Sequence, residues 1–237
     1  MTYLRGDFAT LANPAPGTKT NVGAVGVGDS FSIFRFADSG ASDGVQLDLE
    51  GAVFSQFNLD VPSIDLINAD YLVGLPLTFR MGGSTARLRL YHQSSHLGDE
   101  FILNRQPERL NVSFESLDLI VSHEVGSLRV YGGGEIFFRR EPTDLAARLA
   151  HGGVEIRPVV LGGAGLFAAV DLKVVDDDDW HRAWSARVGI EIARIPHEGH
   201  PPRVISLLGE FYDGIAPYGQ FYREDIRYFG AGFSLTR

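Results

Sequence analysis

The segment Leu90-Tyr91-His92-Gln93-Ser94-Ser95-His96-Leu97-Gly98-Asp99-Glu100 gathers two imidazoles, two hydroxyls and two carboxylates into eleven residues. Together these groups are the material of nucleophilic acyl transfer. A serine oxygen becomes a competent nucleophile when a neighbouring base takes its proton, and an acid behind the base holds it in one tautomer. On an extended strand residues i and i+2 share a face, so His92 and Ser94 project together. His92 is therefore the candidate base, Ser94 the candidate nucleophile, and Asp99, Glu100 or Glu115 the candidate orienting acid. Ser95 adjoins His96, which leaves a second histidine–serine pairing open. The competing reading is a hydrogen-bonded cluster that closes a strand end and pins the loop after it. In that reading Ser95 and His96 join Asp213, Tyr218 and Gln220 of the 210–222 hairpin in a binding cluster at a rim.

The elements that must position these groups are strands. Val73, Leu75, Leu77 and Phe79 alternate with Gly74, Thr78 and Arg80, and Ala86, Leu88 and Leu90 alternate with Arg87, Arg89 and Tyr91. Leu128, Val130 and Ile136 likewise oppose Arg129, Tyr131, Glu135 and Arg139. Period two over such lengths predicts strands. They fall near 22–36, 45–59, 69–81, 85–97, 110–125, 127–141, 150–160, 163–175, 182–195, 202–213 and 222–236, with a weaker one over 3–11. No amphipathic helix interrupts them, and 142–149 supplies at most a short turn. Local connections predict an antiparallel meander.

Three features favour a membrane barrel over a soluble one. The strands run about 11–16 residues, against the usual 5–6 of soluble sheets. Their polar face carries charges of both signs, which suits a wet or salt-bridged lumen. The connections also alternate in length. With the last strand descending to the periplasm, 81–84, 125–127 and 161–163 are short inner turns, while 60–68, 98–109 and 140–149 are longer outer loops. The connection 37–44 is a rather long inner turn. The expected fold is all-β, an antiparallel up-and-down transmembrane β-barrel of twelve strands (ten as the alternative), with 1–237 a single domain. Glu50, Arg89, Glu135, Asp171, Arg187 and Glu210 then lie inside, where opposite charges must pair. The lumen should be filled or very narrow. On 85–97 the even positions Leu88, Leu90, His92, Ser94 and His96 face lipid, and the apolar stripe turns polar toward the outer surface.

Composition excludes other classes. A formal charge of −9 without a basic stripe argues against nucleic acid. The absence of cysteine excludes a disulfide scaffold and a thiolate metal site. The near-apolar run 159–170 is broken by Gly162, Gly163 and Gly165, short of the roughly 20 residues a spanning helix needs. The opening Met-Thr-Tyr-Leu-Arg-Gly has neither the basic leader nor the apolar core of a secretory signal, so an envelope location predicts a mature or truncated chain. No cofactor is implied. Calcium is the one candidate, at the acidic run 176–179 beside lipopolysaccharide phosphates, where a solvated loop is the simpler reading. His197-Glu198-Gly199-His200 lacks the helical spacing of zinc motifs and is followed by two prolines.

Phe54-Ser55-Gln56-Phe57, Asn68-Ala69-Asp70-Tyr71, Gly74-Leu75-Pro76-Leu77, the 92–100 block and Arg129-Val130-Tyr131-Gly132-Gly133 carry a family resemblance. With Glu210-Phe211-Tyr212-Asp213-Gly214 and Tyr218-Gly219-Gln220-Phe221, the chain resembles domain of unknown function 1207 over most of its length. The resemblance implies a bacterial outer-membrane protein without an established activity, in a family whose members are longer at the N-terminus and begin with an export signal. The His-x-Ser element by itself resembles outer-membrane phospholipase A and the lipid A deacylase barrels, although the phospholipase's asparagine has no matched position here. The leading expectation is an outer-membrane barrel with a structural, ligand-binding or narrow-transport role and a polar outer-rim site at 92–100. Its partners are outer-membrane lipids or lipopolysaccharide, and it is a monomer, with a dimer as the alternative. A lipid acyl hydrolase and a soluble ligand-binding β-barrel are the other two expectations.

Overall fold

The computed structural model describes residues 1–7, 19–37, 43–107, 110–157, 165–177, 180–197 and 200–236. They form twelve strands: β1 (Thr2–Asp7), β2 (Thr20–Phe36), β3 (Gly44–Asn58), β4 (Leu66–Met81), β5 (Ser84–Leu97), β6 (Val112–Val125), β7 (Leu128–Glu141), β8 (Arg148–Ile156), β9 (Gly165–Val175), β10 (Arg182–His197), β11 (His200–Ile215) and β12 (Asp225–Thr236). Each pairs antiparallel with its neighbours in sequence, and β1 also pairs with β12, so the sheet closes into a barrel. Closure removes the unpaired edge that an open sheet exposes. The expected twelve strands therefore hold over the ten-strand alternative, and the weak N-terminal segment is the strand that completes the ring.

Apart from β1, the strands are 9 to 17 residues long, matching or exceeding the roughly 9–11 residues of a tilted membrane-spanning strand. Their outward positions are apolar: Val73, Leu75, Leu77 and Phe79 on β4, Leu88 and Leu90 on β5, and Leu117, Leu119 and Val121 on β6 are all exposed. A hydrophobic belt outside and charges inside inverts the arrangement of a water-soluble barrel. No helix among the described residues is long and apolar enough to cross a membrane.

The interior is cross-linked by ion pairs. Arg89 bridges Glu50 at 3.1 Å and Asp118 at 3.2 Å, Arg87 meets the same Asp118 at 3.3 Å, and Arg187 meets Glu210 at 3.2 Å. Tyr131 donates to Asp171 at 2.7 Å and Arg157 reaches Glu191 at 2.7 Å. The expected charge pairing is present, but the lumen is not completely filled. A cavity of about 700 Å³ remains, lined by Tyr131, Arg157, Lys173, Arg187, Glu210 and Tyr212 among others.

The two ends of the barrel differ. The connections 82–83 and 126–127 at one end are tight, and the segments 59–65, 98–111, 142–147 and 216–224 at the other are longer. The inner turn expected at 161–163 and residues 38–42 of the long inner turn lie outside the described residues. A buried apolar cluster plugs the long-loop end: Leu4, Val22, Ile67, Phe101, Tyr212, Tyr218, Phe221, Ile226 and Tyr228 meet there. Two of these come from elements that the alternation did not predict. A helix, α1 (Asp99–Arg105), follows β5, and a single 3₁₀ turn covers Gly219–Phe221. Helix α1 has Asp99 and Glu100 in its first turn and Arg105 in its last, complementing the helix dipole. Its buried Phe101 packs edge-on against Phe221, with ring centroids 5.9 Å apart. Seven residues with one buried side chain are too short to register as a 3.6-residue period. Tyr212, Tyr218 and Phe221 are buried in this plug, whereas Trp180 and Trp184 are exposed.

Candidate active site

Strand β5 presents two faces. Inward it carries Arg87, Arg89, Tyr91, Gln93 and Ser95; outward it carries Leu88, Leu90, His92, Ser94 and His96. Pairing with β4 on one side and with β6 and β7 on the other stacks the outward residues into rows. From the belt toward the loop end these rows read Leu75–Leu90–Leu117–Ile136, then Val73–His92–Glu115–Arg139, then Tyr71–Ser94–Ser113–Glu141. The apolar belt thus gives way to imidazole, carboxylate and guanidinium in a single step of two residues.

Within the middle row His92 Nδ1 is hydrogen-bonded to Glu115 Oε1 at 3.1 Å, and Glu115 Oε2 lies 3.6 Å from Arg139 Nε. Nδ1 faces the carboxylate, and Nε2 is the ring nitrogen left without a partner among the described residues. Ser94 stands one row nearer the loop end on the same face, about 6.8 Å along the strand. Its hydroxyl makes no side-chain hydrogen bond among the described residues. The candidate orienting acid that reaches the imidazole is Glu115. Asp99 and Glu100 are exposed in the first turn of α1, beyond the end of β5.

The same row depends on an irregularity that alternation hides. Between Glu115 and Ser116 the register with β7 shifts, so Glu115 opposes Arg139 while Ser116 opposes Phe137, leaving Phe138 as the extra residue of a bulge. The bulge reverses parity on β7. Arg139, which alternation places on the polar inner face with Arg129 and Glu135, instead lies on the outer wall with its side chain 80 % exposed.

Behind this wall the inner face of β5 is tied down. Ser95 Oγ donates to Asn68 Oδ1 at 2.9 Å, and Asn68 Nδ2 donates to Gln56 at 3.0 Å and to Asp70 at 3.1 Å. The Gly219 amide points at both Asp70 oxygens, each 3.3 Å away, and Gln220 Nε2 donates to the Ser95 carbonyl at 2.6 Å. Gly219 must be glycine here, because a Cβ would lie 2.6 Å from Ser95 Cβ. The expected rim cluster therefore divides. Ser95 and Gln220 are in contact, and Tyr218 is buried in the adjacent plug. His96 faces outward against Tyr71 at 5.8 Å, and Asp213 pairs with Arg227 at 2.6 Å on β12. Neither joins Ser95. Asn68, Asp70 and Gln56 complete the buried network, and the Asn68-Ala69-Asp70 spacing on one face of β4 was the signal for them.

Above the wall, Asp144 accepts hydrogen bonds from Arg223 and from Tyr222, tying the 142–147 loop to the 216–224 loop. The Arg223 guanidinium holds the Asp144 carboxyl below the usual carboxylate range. Partial burial and that carboxylate push the Tyr222 hydroxyl up to about 12. Among the described residues no group of three or more His, Asp or Glu side chains is placed to hold a metal. Of the acidic run, Asp177 is engaged by His181 while Asp178 and Asp179 lie outside the described residues, as do Glu198 and Gly199 of the His-Glu-Gly-His segment.

A closed ring of long antiparallel strands, apolar outside and ion-paired inside, is the architecture of outer-membrane β-barrels. The chain belongs to the family described as protein of unknown function DUF1207, whose model matches residues 15–236. No curated protein matches it. Among solved structures it is similar to outer membrane phospholipase A from Escherichia coli, with 14 % identity, a TM-score of 0.63, and coverage of 100 % of this chain and 95 % of that one. It is also similar to the Salmonella typhi outer membrane phospholipase, solved as a dimer with bound calcium, with 13 % identity, a TM-score of 0.61, and coverage of 100 % and 90 %. At these identities the likeness shows the fold alone.

Proposed function

We propose that this barrel resides in the outer membrane and cleaves acyl esters of membrane lipids, with Ser94 as nucleophile, His92 as general base and acid, and Glu115 as the carboxylate that orients the imidazole. The observation that carries this reading is the His92–Glu115 hydrogen bond on the outer wall, in the row where the apolar belt ends, with Ser94 next to it. A lipid's acyl esters lie at that depth, between its hydrocarbon and its headgroup. The rotation of the imidazole and serine side chains closes the separation between them on substrate binding, as in many sites whose catalytic contacts tighten only with substrate present.

In the first step Ser94 Oγ attacks the ester carbonyl and its proton passes to His92 Nε2. The imidazolium, stabilised through Nδ1 by Glu115, then returns the proton to the departing lipid alkoxide, leaving an acyl-serine and a lysolipid. Water, deprotonated by His92, attacks the acyl-serine, and collapse releases a fatty acid and restores Ser94. All three residues come from β5 and β6 of one chain, so a monomer suffices. No cofactor enters this scheme, and calcium is an arm of the assay.

The test is fatty-acid release from mixed phospholipid and lipopolysaccharide micelles, with calcium or with chelator. Wild type and Ser95→Ala should release fatty acid; Ser94→Ala and His92→Ala should not. No release by folded wild type under either condition sinks the reading. It would favour a ligand-binding or narrow-transport barrel, for which the cavity of about 700 Å³ with its charged lining is the supporting observation.

A further inference from the structure

The proposed site carries a cation that catalysis does not need. Arg139 lies in the His92–Glu115 row, and its side chain is 80 % exposed on the outer wall. One row toward the belt, Arg148 at the start of β8 stands opposite Ile136 and is also exposed, with no ion pair among the described residues. Glu115 is shared between His92 and Arg139. Glu141, the other acid on this stretch of wall, sits opposite Ser113 on the loop side of Arg139. Two guanidiniums thus stand at the edge of an apolar belt, Arg139 with half a share in Glu115 and Arg148 with no ion pair among the described residues, where an under-neutralised charge is expensive.

A bilayer supplies such partners as phosphates, which lie just outside the acyl esters, and guanidinium matches a phosphate's oxygens as a paired donor fork. Adjacent strands are about 4.8 Å apart, so Arg139 on β7 begins two strands, roughly 10 Å, from Ser94's strand. A long arginine side chain covers much of that span, about the reach from an ester under attack to the same lipid's headgroup.

Resting on the hydrolase reading above, we infer that Arg139, assisted by Arg148, selects substrate by its charge: the preferred lipid carries an anionic phosphate headgroup not neutralised by an attached amine or choline. Arg139 is then a specificity residue. Its second contact, with Glu115, makes the conservative variant an informative control.

The experiment compares initial fatty-acid release from phosphatidylglycerol, phosphatidylcholine and lipopolysaccharide, each in neutral-detergent micelles and with matched acyl chains for the two phospholipids. Folding is verified by heat-modifiable gel mobility. Wild type should favour phosphatidylglycerol over phosphatidylcholine by about three- to tenfold, as a single exposed charge-assisted contact allows. The ratio should fall toward one in Arg139→Gln, persist in Arg139→Lys, and shrink with added salt. Lipopolysaccharide cleaved faster than phosphatidylcholine, with the same dependence on Arg139, would identify lipid A phosphates as the anion. Equal wild-type rates on the two phospholipids, or a ratio unchanged in Arg139→Gln, overturn the inference while leaving the hydrolase intact. Release from none of the three lipids overturns the hydrolase reading and this inference with it.

Discussion

The two faces of β5 use the same kinds of side chain to opposite ends. Inward, Arg89 is held by Glu50 and Asp118 and lies over the Tyr91 ring at 4.3 Å, Tyr91 donates to Glu135, and Ser95 donates to Asn68. Apart from the Nε atoms of Arg87 and Arg89, this network satisfies its buried side-chain donors. Outward, Leu88 and Leu90 are bare, His92 makes one hydrogen bond, and Ser94 makes none from its side chain among the described residues. A dense run of polar residues is therefore not in itself a site. Groups that are fully bonded hold the wall together, whereas an imidazole with one nitrogen committed and a hydroxyl left over are what the proposed hydrolase would use.

Four changes can break or sharpen that contrast. The largest effect should come from Ser94→Ala, which removes the proposed nucleophile and should cut fatty-acid release by about 10³-fold or more while leaving the denaturation midpoint in micelles where it was. Retained turnover would end the distinction between the faces. Next is Asp118→Ala, which strips the inner face of the carboxylate shared by Arg87 and Arg89. Removing one partner of a buried pair should cost about 2–4 kcal/mol, read as a lower urea midpoint by tryptophan fluorescence, with turnover per folded molecule kept. Third, Glu115→Gln leaves the shape of the row but not the charge behind His92, and roughly a hundredfold loss of rate is expected with stability unchanged. A large loss of stability instead would make Glu115 an inner-face residue in all but position.

The smallest effect concerns the loops above the wall. Arg223 lowers the Asp144 carboxyl from its ordinary range, so the stabilisation it contributes is whole above the unfolded-state value and disappears as pH falls through the folded one. Both side chains are about half exposed, which limits the effect to about 0.5 kcal/mol. Asp144→Asn should remove that part of the acid sensitivity, which appears as the pH falls below the ordinary carboxylate range. A variant as acid-sensitive as wild type would show that the loop tie contributes nothing.

Much of the barrel was legible because its two surroundings act on alternate residues: Val73, Leu75 and Leu77 against Thr78 and Arg80 needed no knowledge of their partners. What alternation lacks is register. It placed His92 and Ser94 on one face, yet choosing Glu115 over Asp99 or Glu100 requires the pairing of residue 92 with 115, which the intervening loop and helix determine. Ser95 and His96 were grouped by nearness in sequence although adjacent strand residues point apart, and the structure divides them accordingly. Helix α1 was missed because a single buried Phe101 makes no periodic signal.

The bulge opposite Glu115 has an evolutionary corollary. Because it is a one-residue excess on β7 alone, gaining or losing a single codon near 137–139 would exchange the side chain shown to the bilayer at that row. The ladder of Leu117, Leu119 and Val121 below it would stay in step. Relatives of this barrel can therefore diverge in the lipids they meet through changes in length, with hardly a substitution elsewhere, and a residue-for-residue comparison across that strand would mistake a shifted guanidinium for a lost one.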